Sequence, residues 1–454
     1  MRGNAHEGKP TGNPIQQHRP QEADPTAYYG AASGYFGGHA GYRYDLRGGE
    51  AAVSGVSLVD NINILVINIF AALATGGAVV AGHALGQKNQ EQAGRSAWQM
   101  VLFLLYSSAG MTVLLLGAHK VILRAIFGQV EEAVMTSAVT YLIITGLSIC
   151  PLALYNGCAA LFRAMGNSRT TMYISLLMNL INLVGNAILI FLFRMGVAGA
   201  AIATLIARTV AALLIFKFMF DEKREIHFHK RLTLRMDIPQ VKKILYIGIP
   251  NGLENSLFQL GKILLLSLVS TFGTSAIAAN AVCGTITNFN ILPGMAINMA
   301  LLSVASYCIG AGDFGQTRYY TRKLMRLTWL CTSVVSLVMI AGAPLFLKIY
   351  HLTPETTTLA LQVIRYHAVM SMVAWVPSFT LPNTLRAAGD VMWTMAIAII
   401  SMWVFRIGTA YFFSNVFHLG LIGIWIAMTI DWMFRAVCYE IRYCGGKWER
   451  AMRK

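Results

Sequence analysis

Glu254 follows Pro250 by four residues in the mostly apolar stretch 241–271. Asn251, Asn255, Gln259 and Lys262 succeed one another at steps of four, four and three. That spacing puts them on one face of a helix, with Glu254 beside the stripe. A carboxylate among amides in an apolar span can take up and release a proton, or hold sodium together with amide oxygens. The competing reading is an internal Glu254–Lys262 ion pair, although two helical turns separate them. Asp60 heads a second polar set with Asn61, Asn63 and Asn68, and Asp60, Asn63 and Asn68 fall loosely on one helical face. They are expected either to contact an ion or substrate, or to join helices by hydrogen bonds.

Asn179, Asn182 and Asn186 line up in the same way further on. Asparagine bonding between helices explains them slightly better than ligand contact. Asn288 and Asn290 precede Pro293, where a carbonyl freed by the proline could face a cavity. Asp431 and Arg435 are four apart and read as a helical ion pair. Arg406 lies inside an apolar span and calls for an acidic or carbonyl partner. His83 and His367 read as packed histidines before proton carriers. The seven cysteines have no metal-ligand or disulfide spacing. Neither a phosphate-binding glycine loop nor a nucleophile–base motif is present, so ATP drive and enzymatic catalysis are not expected.

The elements that carry these residues are membrane helices. The chain has 454 residues, 56% hydrophobic and only 12% charged, with a mean hydropathy of +0.56. Soluble domains carry about 25% charged residues. Apolar runs near bilayer-spanning length recur along the sequence. Eleven spans are expected, near 51–83, 98–123, 134–162, 169–193, 196–220, 241–271, 275–309, 324–347, 357–384, 391–414 and 419–441. Pro151, Pro377 and Pro382 should kink theirs. Residues 1–47 form an atypical polar tail without an apolar run. Residues 48–220 form a first lobe, 221–240 a basic linker and 241–454 a second lobe.

The lobes repeat each other. Gly49-Glu-Ala-Ala-Val53 matches Gly273-Thr-Ser-Ala-Ile277, and Leu85-Gly-Gln-Lys-Asn89 matches Ile309-Gly-Ala-Gly-Asp313. Leu161-Phe-Arg-Ala-Met-Gly-Asn167 matches Thr384-Leu-Arg-Ala-Ala-Gly-Asp390, and Gly196-Val-Ala-Gly199 matches Gly420-Leu-Ile-Gly423. The offsets are 224, 224, 223 and 224. The expected fold is therefore all-α and polytopic, with two homologous six-helix lobes related by a parallel pseudo-two-fold axis. The first lobe shows five of its six spans.

The formal net charge of +16 does not indicate nucleic-acid binding. With the central linker placed in the cytoplasm, 23 Lys and Arg fall on that side and four on the other, the bias of a cytoplasmic membrane face.

This arrangement resembles the multidrug and toxic compound extrusion (MATE) family over residues 48–445. The resemblance rests on the repeat and on Thr75-Gly-Gly-Ala-Val-Val80, Leu85–Asn89, Leu161–Asn167, Gly248-Ile-Pro-Asn-Gly-Leu-Glu254, Leu385–Asp390 and Gly420–Trp425. It implies two six-helix lobes around a central cleft and alternating access. It also implies export of an organic cation, drug or metabolite against sodium or protons, with no cofactor. The lipid bilayer would be the protein's surroundings, the bacterial inner membrane its location, and a monomer its working unit. Glu254 would be the coupling site, with sodium a candidate ligand there. The family's first helix is missing. The codons allowed for His39–Leu46, shifted by one base, permit Met-x-Asp-Thr-Val-Met-Ile, similar to the end of that helix. The tail is thus expected to be a frameshifted reading of it. Two other readings stand beside export. One is a lipid-linked oligosaccharide flippase, which would need more cationic residues in the cleft. The other is a membrane protein disabled by the missing helix.

Overall fold

The computed structural model describes residues 49–128, 131–228 and 233–452. The 1–47 tail, and with it the frameshift expectation, lies outside the described residues. So do Lys230 and Arg231 of the linker and Arg453 and Lys454 at the end.

Among the described residues eleven long helical elements follow one another: α1 (Gly49–Gly86), α2 (Gln90–Phe127), α3 (Glu132–Leu147 with Ile149–Ala164), α4 (Ser168–Leu192) and α5 (Gly196–Phe218) in the first lobe. The second lobe holds α6 (Ile238–Ser270), α7 (Thr274–Gly310), α8 (Phe314–Lys348), α9 (Pro354–Ala387), α10 (Val391–Asn415) and α11 (Gly420–Cys444). A short α12 (Lys447–Met452) ends the chain. Among the described residues, nine of these are single helices apolar and long enough to cross a membrane, and the bent α3 makes a tenth. The eleventh, α6, carries Lys242, Lys243, Glu254 and Lys262, and these charges dilute its apolar character.

The repeat is visible in local geometry. Asn89 caps α2 by accepting from Gln92 N, and Asp313 caps α8 by accepting from Gln316 N. Such caps satisfy amides that the first turn leaves unbonded. Left-handed backbone occurs at Lys88 and Gly312, at Gly166 and Gly389, at Arg194 and His418, and at Gly196 and Gly420. Each pair is one repeat apart. The third span of each lobe is broken: α3 bends by 45° at Ser148, three residues before Pro151. In α9 a π-helical segment, Ser371–Trp375, precedes Pro377 and Pro382. The fourth spans also match, with π-helical turns at Ala187–Leu192 in α4 and Ser401–Gly408 in α10.

One large apolar core fills the first lobe and two fill the second. Between the lobes, contact runs through α1, α6 and α7. A Cβ on Gly86 would fall 2.0 Å from the Tyr307 carbonyl oxygen, and one on Gly310 would fall 2.2 Å from that of His83. Glycine at both repeat-related positions lets the α1 and α7 backbones touch. Gly76 approaches Ile244 and Gly248 of α6 in the same way. All of these contacts lie toward the basic end of the bundle. The linker is strapped there as well: Trp98, Gln99 and Tyr106 of α2 donate to the carbonyls of Thr233, Arg235 and Leu234.

Candidate functional site

Helix α6 packs on α1 at Gly252, whose Cβ position is 3.6 Å from that of Ala72. Glu254 is the first charged residue beyond this point. Arg386 Nη2 donates to both its carboxylate oxygens, at 2.7 and 2.8 Å. Both side chains are largely buried, 11% and 16% exposed. Arg386 sits in the last turn of α9, and the next residue, Ala387, receives a 2.7 Å hydrogen bond on its carbonyl from His83 Nε2 of the other lobe. The acid of α6 is thus joined, through two consecutive residues of α9, to an inter-lobe contact.

The stripe beside Glu254 does not act as a unit. Asn255 is exposed, Gln259 is half-buried, and Lys262 lies two turns further along over the Phe258 ring, 5.2 Å from its centroid. The alternative Glu254–Lys262 pair does not form, because Arg386 takes both carboxylate oxygens. Arg386 belongs to the repeated motif Thr384–Asp390. It lies inside α9, as Arg163 lies inside α3 and Arg435 and Arg442 inside α11. The one signal available was Arg163 and Arg386 recurring at matched places in the repeat.

A second cluster lies deeper in the second lobe. The Asp431 carboxylate is fully buried and holds Arg435 Nε at 2.9 Å and Arg406 Nε at 3.2 Å. Ser401 also donates to it. Arg406 thus has the acidic partner its burial demanded, and the expected Asp431–Arg435 pair is present. Both guanidiniums approach the Phe258 ring, at 5.0 and 5.5 Å. His367 is packed edge-on between Trp425 and Trp432.

In the first lobe Asp60 and Asn63 are buried, and the Asn63 amide reaches Asp60 at 3.4 Å and Thr145 at 3.5 Å. Arg208 faces Asp60 and Tyr141 electrostatically and donates to Ser148 at 2.7 Å. Asn68 is half-buried on the same helix, outside these bonds. Asn182 donates to Thr204 of α5, and Asn186 donates back to Asn182. This is hydrogen bonding between helices, and Asn179 is only half-buried. Of the pair before Pro293, Asn290 ties α7 to Ser336 of α8 and Ser371 of α9, while Asn288 points to the exposed side. Among the described residues no group of three or more His, Cys, Asp or Glu could hold a metal ion.

The resemblance implied an organic cation as one possible cargo, and the two acids nearest that role, Asp60 and Glu254, lie opposite Arg208 and Arg386. Each faces a guanidinium, so neither supplies a net negative field, and the second lobe's interior carries more cations than acids.

Two helical lobes joined by a strapped linker, with paired charged residues buried among their helices, define an integral membrane transporter. The MatE family model matches residues 45–188 and 250–412, and the chain belongs to that family: it is a secondary transporter, not an enzyme. It is 26% identical over 429 residues to the probable multidrug resistance protein NorM of Thermotoga maritima, covering 93% of this chain and 89% of that one. It is also 26% identical over 408 residues to the uncharacterized transporter YisQ of Bacillus subtilis, covering 88% of each. Its fold is that of a MATE crystal structure in the bent conformation, with a TM-score of 0.85, 20% identity and 95% of both chains covered. A MOP superfamily transporter from Pyrococcus furiosus, described by a binding pocket of reversed polarity, matches with a TM-score of 0.83 at 20% identity, covering 91% of this chain and 92% of that one.

Proposed function

We propose that the protein is an ion-coupled exporter of small organic molecules, drugs or metabolites, working by alternating access in a bacterial inner membrane. Sodium or protons moving inward would drive it. The observation that carries this reading is the Glu254–Arg386 pair and its link to the His83–Ala387 contact. Empty of its ion, Glu254 holds Arg386, and Arg386 holds the end of α9 where His83 docks. A proton or sodium ion on Glu254 removes or offsets the charge that Arg386 needs. The guanidinium is then released, the end of α9 shifts, and the lobes part at the cytoplasmic end. Ion binding thereby favours one of two global states, as coupling requires. The relatives named as multidrug resistance proteins support small organic molecules as cargo.

The test is transport in proteoliposomes under an imposed sodium or proton gradient. Glu254→Gln keeps the shape but loses the titration and the full ion ligand. Ion-dependent efflux should fall to background in Glu254→Gln while the protein still reaches the membrane. Wild-type efflux by that variant would remove Glu254 from coupling.

A further inference from the structure

We infer that the second-lobe wall of the cleft holds an anion subsite at Lys262, backed by the buried Arg406, so the cargo carries a carboxylate or phosphate on an apolar, ring-bearing body. This rests on the cleft being the transport path, and it names the substrate class that path takes. Three cations, Lys262, Arg406 and Arg435, gather around the Phe258 ring at 5.2, 5.0 and 5.5 Å. A single carboxylate, Asp431, serves two of them and is fully buried behind them. Glu254, the acid within α6, is taken by Arg386. Among the described residues no acid pairs with Lys262.

Lys262 is also placed to meet a solute. Its side chain is exposed, and it continues the polar stripe of Asn255 and Gln259 along one face of α6. A polar face on an otherwise apolar spanning helix turns to a recess between helices rather than to lipid. An unpaired ammonium facing lipid would be costly. In the recess, an anion replaces the missing acid and relieves the repulsion between Lys262 and Arg406. Low surrounding polarity strengthens that attraction. Phe258 offers a flat face beside the charges for the apolar part of the cargo. An organic cation would meet the same recess as a repulsive wall.

The test compares dyes that share one ring system: fluorescein (anionic), rhodamine B (zwitterionic) and rhodamine 6G (a cationic ester). Each is titrated by fluorescence polarisation onto the purified full chain in detergent. The carboxylate-bearing dyes should bind at least roughly tenfold tighter than the ester, about what one charge-assisted hydrogen bond contributes. Lys262→Met should abolish that preference and Lys262→Arg should keep it. Phenyl phosphate and undecyl phosphate then compete for the bound fluorescein. Displacement by the short form marks a soluble anion as cargo, and displacement by the long form alone marks a lipid phosphate. Equal or tighter binding of the cationic ester by the wild-type protein overturns the subsite, whatever the variants do. An unchanged preference in folded Lys262→Met overturns it too. Loss of the subsite leaves the Glu254→Gln transport result standing, so the two readings fail separately.

Discussion

Asp431 shows how an ion network inside a membrane protein can be indispensable without being a source of net stability. Its carboxylate is fully buried and answers two guanidiniums and a hydroxyl. Desolvating such a group costs much of what the pairing returns. Removing one partner is another matter, because the remaining charges stay buried. Asp431→Asn leaves Arg406 and Arg435 facing each other. It should destabilise the protein by about 3–5 kcal/mol, seen as a lower unfolding temperature in detergent. Adding Arg406→Met to Asp431→Asn removes one of the orphaned cations and should recover part of the loss. If the double variant melts below the single, the charge argument is wrong. Asp390 and Arg442 form a similar fork, at 2.7 and 2.9 Å, nearer the basic end. There the repeat mate, Asn167, only caps α4.

At the scale of elements, glycine decides where helices may touch. A methyl at Gly310 would meet the His83 backbone at 2.2 Å, and backbone cannot swing aside as a side-chain tip can. Gly310→Ala should push α1 from α7 and weaken closure at the basic end. Spin labels at Gln87 and Asp313 should report a longer or broader distance distribution in that variant. Gly110 is the control: a Cβ there meets nothing within 4 Å. Gly110→Ala in α2 should leave the distance unchanged and stabilise the protein by about 0.4–1 kcal/mol, by restricting the unfolded chain. The broken spans belong to the same scale. The bend of α3 and the π-helical start of the break in α9 fall at corresponding places in the two lobes. These breaks shape the lobe interiors where Ser148 meets Arg208 and Ser371 meets Asn290.

For the whole molecule, the proposed alternating access requires the α1–α7 contact to open and close. Gly82 and Ser306 mark it, with the Cβ positions 3.0 Å apart. A disulfide needs about 3.5–4.5 Å between Cβ atoms, which a slight relaxation supplies. Gly82→Cys with Ser306→Cys, in a background with Cys308→Ser, should crosslink on oxidation and lock the basic end shut. Transport in proteoliposomes should stop when the bond forms and return with reductant. Full transport by the crosslinked protein would mean that the lobes do not part here.

Much of the architecture follows from order along the chain. Helix number, the two-lobe repeat and the proline-linked breaks depend on local pattern: apolar runs of spanning length, caps such as Asn89 and Asp313, and glycines at fixed offsets. The pair Asp431–Arg435 was legible for the same reason, since four residues of helix bring them together. The partner of Glu254 was not. Arg386 is 132 residues away, on a helix whose relation to α6 is set by packing alone. The approach of Arg406 and Arg435 to Phe258 depends likewise on how α10 and α11 lean on α6. Composition determined that this chain lives in a bilayer, and repetition determined its two lobes. Which acid meets which base was decided only when the helices packed. Charge pairing acts through space over a few ångströms, and sequence distance does not carry that information.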